Sequence, residues 1–195
     1  MNIVQPASPP FFTGKTVYLR SLVEADLDGP YVGWFNDSEV CFGNSHHVFP
    51  YTRESALEYI HRAQETKNHL ILAIVTKKDN SHVGNIALQN IHPVYRSAEF
   101  SILIGEKSVW GSGVGKEAGR LICDHGFKAL NLHRIYCGTF ENNTAMQHLA
   151  LSLGMVQEGV RREAAFKNGS YLDIIEFGVL KSDYEQKWFP NERNK

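Results

Sequence analysis

A chain of 195 residues, 43% of them hydrophobic, is long enough for one domain with a sizeable core. Its formal net charge of −1 and pI near 6.8 give no global electrostatic case for nucleic acid or an anionic membrane as a partner. No apolar stretch approaches the ~20 residues that span a bilayer, and Met1–Pro10 lacks the basic start and apolar core of a signal peptide.

Residues 1–15 read as a flexible tail stiffened by Pro6, Pro9 and Pro10. The β-branched and aromatic run Thr16–Arg20 predicts a first strand, and Glu24–Phe35 a helix interrupted at Gly29-Pro30. Thr52 is placed to cap a helix over Arg53–Thr66, with Leu57, Ile60 and Ala63 on one face. Leu70–Val75 is a buried strand that turns at Lys78–Ser81 into a second strand, His82–Leu88; Ala98–Ile104 is a third.

The run Val109-Trp110-Gly111-Ser112-Gly113-Val114-Gly115-Lys116 follows. Its glycines let the backbone turn tightly and bring N–H groups close to an anion. Behind it, Val114, Ala118, Leu121, Ile122 and His125 form a helical stripe, whose N-terminus suits a phosphate or pyrophosphate. Lys116 adds a formal charge at the rim. A kinase-type phosphate loop fails on spacing, because Trp110 stands where its first Gly belongs and Glu117 replaces the magnesium-binding hydroxyl. A dinucleotide fingerprint fits better, with Gly113, Gly115 and Ala118 in register and Glu141 downstream. Five residues, Gly105–Val109, nevertheless separate the strand from the loop. That reading stays as a minority one.

Ile135–Phe140 is the next strand, and Asn142 or Asn143 caps a helix ending near Leu153-Gly154. Met155–Ala165 and Tyr171–Leu180 flank Lys167-Asn168-Gly169, a strong hairpin signal. The order β-α-α-β-β-β-loop-α-β-α-β-β predicts one α+β domain on a mainly antiparallel sheet, with a single β-loop-α-β unit. Three scattered cysteines, Cys41, Cys123 and Cys137, indicate buried free thiols in a reducing compartment, hence a cytoplasmic location. The nine histidines show no metal-ligand spacing, so no metal is expected.

This order, with its glycine loop ahead of the third helix, resembles the GNAT superfamily of acyl-CoA N-acyltransferases. The loop signature R/Q-x-x-G-x-G/A is met by Gly113 and Gly115, with Trp110 at the R/Q position. That is a feature of the branch holding ribosomal-protein N-terminal, spermidine and amino-sugar acetyltransferases. Trp34–Val40, Leu130–Tyr136, Asn143-Thr144-Ala145, Leu153-Gly154-Met155 and Asn168–Asp173 also look like that branch. The resemblance implies an N-acetyltransferase domain over residues 16–181, followed by a C-terminal tail over 182–195. It implies acetyl-CoA as co-substrate, with Trp110, Gly111, Ser112, Gly113, Val114, Gly115 and Lys116 around its pyrophosphate. Ile102, Leu103 and Ile104 would run beside the pantetheine arm, where a backbone N–H polarises the thioester carbonyl. Asn143 would touch the cofactor, or serve simply as a helix cap.

Two departures follow. The family's acid, a Tyr four residues before the Gly of the last helix, is here Ala150, and Met155 replaces the usual Phe. Strand alternation puts Glu99, Ser101 and Leu103 on one face, making Glu99 the first candidate base. Glu163 and Asp173 are substitutes, and water the residue-free route. Without an evident acid or a dense acidic patch, the expected acceptor is a weakly basic primary amine. An amino sugar or nucleotide sugar comes first, a peptide N-terminus next, and a polyamine as the alternative. Trp34–Tyr51 is expected to form the acceptor wall, and a homodimer stays open. The rivals are a non-catalytic acyl-CoA sensor and a nucleotide-dependent oxidoreductase.

Overall fold

In the computed structural model, which describes residues 8–65 and 67–190, eight strands form one twisted sheet in the order β1-β2-β3-β4-β5-β6-β8-β7. The strands are β1 (Phe12–Thr13), β2 (Val17–Ser21), β3 (Leu70–Thr76), β4 (His82–His92), β5 (Ser97–Ile104), β6 (Arg134–Phe140), β7 (Val156–Lys167) and β8 (Ser170–Leu180). Every neighbouring pair is antiparallel except β5 and β6. The sheet is thus α+β in class, and not the doubly wound parallel sheet that a dinucleotide fingerprint serves; this removes the oxidoreductase reading.

Two layers of helices cover it. One face carries α3 (Val114–Lys128), α4 (Thr144–Leu153) and α5 (Lys181–Trp188) over a core that includes Leu88, Phe100, Ile122, Phe127, Ile135 and Leu153. The other carries a 3-10 turn (Glu24–Asp28), α1 (Tyr31–Trp34) and α2 (Arg53–Glu65) over Tyr18, Leu27, Tyr31, Trp34, Ile60 and Val75. Gly29-Pro30 breaks the predicted first helix into that turn and α1, and the Thr52 hydroxyl accepts from Ser55 N at 3.2 Å as the expected cap. The β7–β8 turn places Asn168 and Gly169 at φ +52° and +82°, the geometry its sequence asks for.

Both predicted tails need correction where they are described. Phe12–Thr13 pairs with β2, and the Phe11 and Phe12 rings pack against His125 of α3, the first edge-on and the second tilted. The expected C-terminal tail instead begins as α5, whose Tyr184 is buried and donates to Asp124 at 2.7 Å. Apolar periodicity is thin in so short a helix, and two aromatic residues dock it, Tyr184 and Trp188, the latter donating its indole N–H to the Leu153 carbonyl at 3.3 Å. Residues 1–7 and 191–195 of those tails, and Thr66 of the second predicted helix, lie outside the described residues.

Candidate active site

The parallel pairing of β5 with β6 is short: Ser97, Ala98 and Glu99 face Arg134, Ile135 and Tyr136, and no pair follows. Each strand is held only from its outer side beyond that point, β5 by β4 as far as Ile104 and β6 by β8 as far as Phe140. The two strands therefore diverge into a V. Its inner edge on β5, Phe100–Ile104, has no strand partner among the described residues. A strand edge in that state offers backbone donors and acceptors to an extended ligand.

At the open end of β5 lies the glycine loop. Gly111 and Gly113 sit at φ +71° and +88°, and a Cβ at either would meet nothing within 4 Å, so the loop is an open cradle. Gly113 is also the N-cap of α3 and provides no capping side chain. The first-turn N–H groups of Val114, Gly115 and Lys116 are then left to an outside acceptor. The one acidic residue in that turn, Glu117, is spent inside the chain. Its carboxylate accepts from the backbone of Lys15 and Thr16 and from the Thr16 hydroxyl. Burial pushes its pKa up, but these hydrogen bonds outweigh that and hold it below the usual carboxylate range. A pyrophosphate at the loop would meet donors and no competing anion, so the residues fit the CoA pyrophosphate.

Trp110 is partly exposed and donates its indole N–H to the Ile104 carbonyl at 2.9 Å, fastening the loop to the end of β5. Lys116 and Arg120 lie over the Trp188 ring at 5.9 and 4.4 Å, and neither makes an ion pair among the described residues. They leave positive charge beside the cradle.

Ala98 and Phe100 are buried under α3, with Ile102 and Ile104 packed beside them, whereas Leu103 packs in the core under α1 and α2. Glu99 therefore faces the α1/α2 side, at the last paired register before the strands part, and accepts from Asn90 Nδ2 at 3.0 Å. Tyr136 opposite has its pKa raised by burial and then by the Glu99 charge. Ala150 is fully buried, and its methyl offers no proton. Asn143 caps α4 through Oδ1, accepting from Met146 N at 3.1 Å, while its Nδ2 donates to the Gly43 carbonyl at 2.9 Å. Both polar atoms are engaged within the chain.

The predicted acceptor wall divides. Trp34 and Phe35 are core residues, whereas Val48 and Phe49 are exposed. Asn36 pins the loop between them with two backbone hydrogen bonds to Tyr51, 2.7 and 2.8 Å long. Sequence spacing gave no sign of two further contacts. Lys107 bridges Asp37 at 2.8 Å and Glu39 at 2.5 Å, and its hydrogen bond holds the Asp37 carboxyl below its usual range. Glu141 and Asp173 also meet: the Glu141 carboxylate accepts from Asp173 N at 3.0 Å, and the Asp173 carboxylate accepts from the backbone N of Glu163 at 2.8 Å. None of the three has a basic partner among the described ion pairs. The sheet thus links three acidic residues that the sequence keeps apart.

All three cysteines are free and buried, with burial and then the Glu99 charge pushing Cys137 up to about 12. Among the described residues, no helix is long and apolar enough to cross a membrane, and no group of three or more His, Cys, Asp or Glu gathers as a metal site.

Comparison with known proteins agrees with this architecture. The acetyltransferase (GNAT) domain family matches residues 16–156. Spermidine N(1)-acetyltransferase of Vibrio cholerae is 31% identical over 135 residues, 69% of this chain and 78% of the relative. The Bacillus subtilis protein named Probable N-acetyltransferase YjcK is 28% identical over 182 residues, 89% of this chain and 98% of that protein. The crystal structure of spermidine N-acetyltransferase from Vibrio cholerae in complex with CoA and spermine superposes with a TM-score of 0.78 at 25% identity, covering 87% of this chain and 98% of that one.

Proposed function

The chain belongs to the GNAT acetyltransferase family, and from that premise we propose that its acceptor is a small polycationic amine of the polyamine class. The enzyme is an acetyl-CoA-dependent N-acetyltransferase. The observation that carries the acceptor class is the meeting of Glu141 with Asp173 beyond the splay, with Glu163 joined to Asp173 through its backbone N–H and none of the three acidic residues holding a basic partner among the described ion pairs. A lysine-like amine of pKa ~10.4 needs about 4–5 kcal/mol to lose its proton at pH 7, so it needs carboxylates to bind and tune it. The names of the relatives support the same class. This ranks the polyamine above the amino sugar that the sequence favoured.

Bound acetyl-CoA supplies an activated acetyl thioester. Backbone N–H groups from Gly111 to Lys116 hold its pyrophosphate, and Trp110 keeps that loop against β5. The open edge at Ile102, Leu103 and Ile104 aligns the pantetheine arm and donates to the thioester carbonyl. Holding both substrates in one cleft supplies much of the acceleration. Glu99, facing the acceptor side, takes the proton that the amine gives up. Glu99→Gln is therefore expected to lower kcat by about 10²-fold, with acetyl-CoA affinity unchanged by calorimetry. A loss below about threefold with an unchanged pH profile reduces Glu99 to a structural residue.

A second reading rests on Ala150. A site without the family's hydroxyl acid suits amines that are already neutral, such as amino sugars, nucleotide sugars or a peptide N-terminus with pKa ~7.7–8.0. Measuring kcat/KM at pH 7 for spermidine, amino sugars, their nucleotide conjugates and N-terminal peptides separates the two. Spermidine is expected to lead by about tenfold or more, a difference of about 1.4 kcal/mol in transition-state stabilisation. An amino sugar leading by that margin overturns the polyamine assignment.

A further inference from the structure

The connection between α1 and α2 crosses the mouth of the V and is tied down on both of its arms. On the β6 arm, Asn143 Nδ2 donates to the Gly43 carbonyl at 2.9 Å, across 100 residues of sequence. The approach is so close that a Cβ on Gly43 would collide with the Asn143 amide, which is why a glycine stands there. On the β5 arm, Lys107 bridges Asp37 at 2.8 Å and Glu39 at 2.5 Å. A third tie runs from Lys167 Nζ, at the end of β7, to the His46 carbonyl.

We propose that Asn143 is a positioning residue for the acceptor: its clasp on Gly43, with the Lys107 bridge as counterpart, fixes residues 37–46 as the wall of the acceptor pocket. Asn143 then governs how the amine binds and not how acetyl-CoA binds. Its amide hydrogens reach toward the wall, and its oxygen is committed to the α4 cap. The inference rests on the reading that the amine enters on the side of this segment.

The two halves of the amide can be separated. Asn143→Asp keeps an oxygen for the α4 cap but has no hydrogen to give Gly43, and Gly43→Ala forces the same contact apart from the other side. Both variants are expected to raise the acceptor KM about tenfold, with a smaller change in kcat and an acetyl-CoA Kd within about twofold of the wild type. Thermal melting reports folding, and if Gly43→Ala does not fold, Asn143→Asp carries the test alone. Amide hydrogen exchange over residues 37–46 reads the clasp without any acceptor. It should rise in Asn143→Asp, while residues 111–116 stay as in the wild type. A raised acetyl-CoA Kd with unchanged acceptor KM would make Asn143 a direct cofactor contact and overturn the proposal. Unchanged exchange over 37–46 would also overturn it. A wild type that binds acetyl-CoA yet acetylates no amine refutes the acceptor reading separately, and the exchange result still decides the clasp.

Discussion

Asp26→Ala is expected to destabilise the fold by about 3–5 kcal/mol, because it strands a buried cation. Arg20 and Asp26 are 3% and 6% exposed, and the carboxylate takes two hydrogen bonds from the guanidinium, at 2.6 and 2.8 Å. It also accepts from Val23 N at 2.9 Å and lies 3.4 Å from His82 Nδ1. Without it, a guanidinium beneath the 3-10 turn and an imidazole on β4 lose their common partner. Since a domain of this size holds together by about 5–15 kcal/mol, the variant should lose much of its margin in a urea titration. Converting both members at once, Arg20→Met with Asp26→Leu, should cost less than the single change, because no uncompensated charge is left behind. Burial pushes the Asp26 pKa up, but the hydrogen bonds from Arg20 and then the interactions with His82 prevail and hold it far below the usual carboxylate range. A carboxyl with a depressed folded pKa contributes stability that is present in full above its unfolded value, about 3.9. That contribution is lost as pH falls through the folded value, so it is complete at pH 7 and fades only in strong acid. A loss under about 1 kcal/mol for Asp26→Ala would show that the pair is replaceable by water.

Gly113→Val should weaken acetyl-CoA binding by about 5- to 150-fold while leaving the fold in place. The reason is conformational. A Cβ at Gly113 has open space around it, so no clash arises, but φ is +88°. A β-branched residue there is strained by about 1–3 kcal/mol, and the loop relieves the strain by leaving this conformation. The cradle and the α3 N-terminus then lose their common geometry, and with it the donors aimed at the pyrophosphate. Gly113→Asn tests this account, since Asn tolerates the left-handed region better and should retain more affinity than Val. Calorimetry on folded protein decides it: wild-type affinity in Gly113→Val would mean that the loop does not hold the pyrophosphate.

The sequence by itself determined whatever depends on neighbours within a few positions. Asn168-Gly169 determined the β7–β8 turn because both positions need positive φ, and Thr52 and Asn143 determined helix starts because a side-chain oxygen must reach an N–H two or three residues on. The alternation along β5 turned Glu99 toward the α1/α2 face, and the glycines marked an open loop of positive φ, because strand period and positive φ are properties of the local chain. Only the tertiary structure decided what depends on the sheet. The early parting of β5 from β6 is a matter of which strands flank them, and it turns two ordinary strands into a cleft. Glu141, Glu163 and Asp173 come from three different segments and are linked by hydrogen bonds only when β6, β7 and β8 lie side by side. That step replaced an expected sugar acceptor with a polyamine in our proposal. Asp26 finds its partners only when the 3-10 turn carries it onto Arg20 and His82. Asn143 reads as a cap until its amide nitrogen donates to the Gly43 carbonyl, 100 residues away. Local pattern records a backbone preference, whereas the partners of a side chain are chosen by packing between segments that the sequence keeps apart.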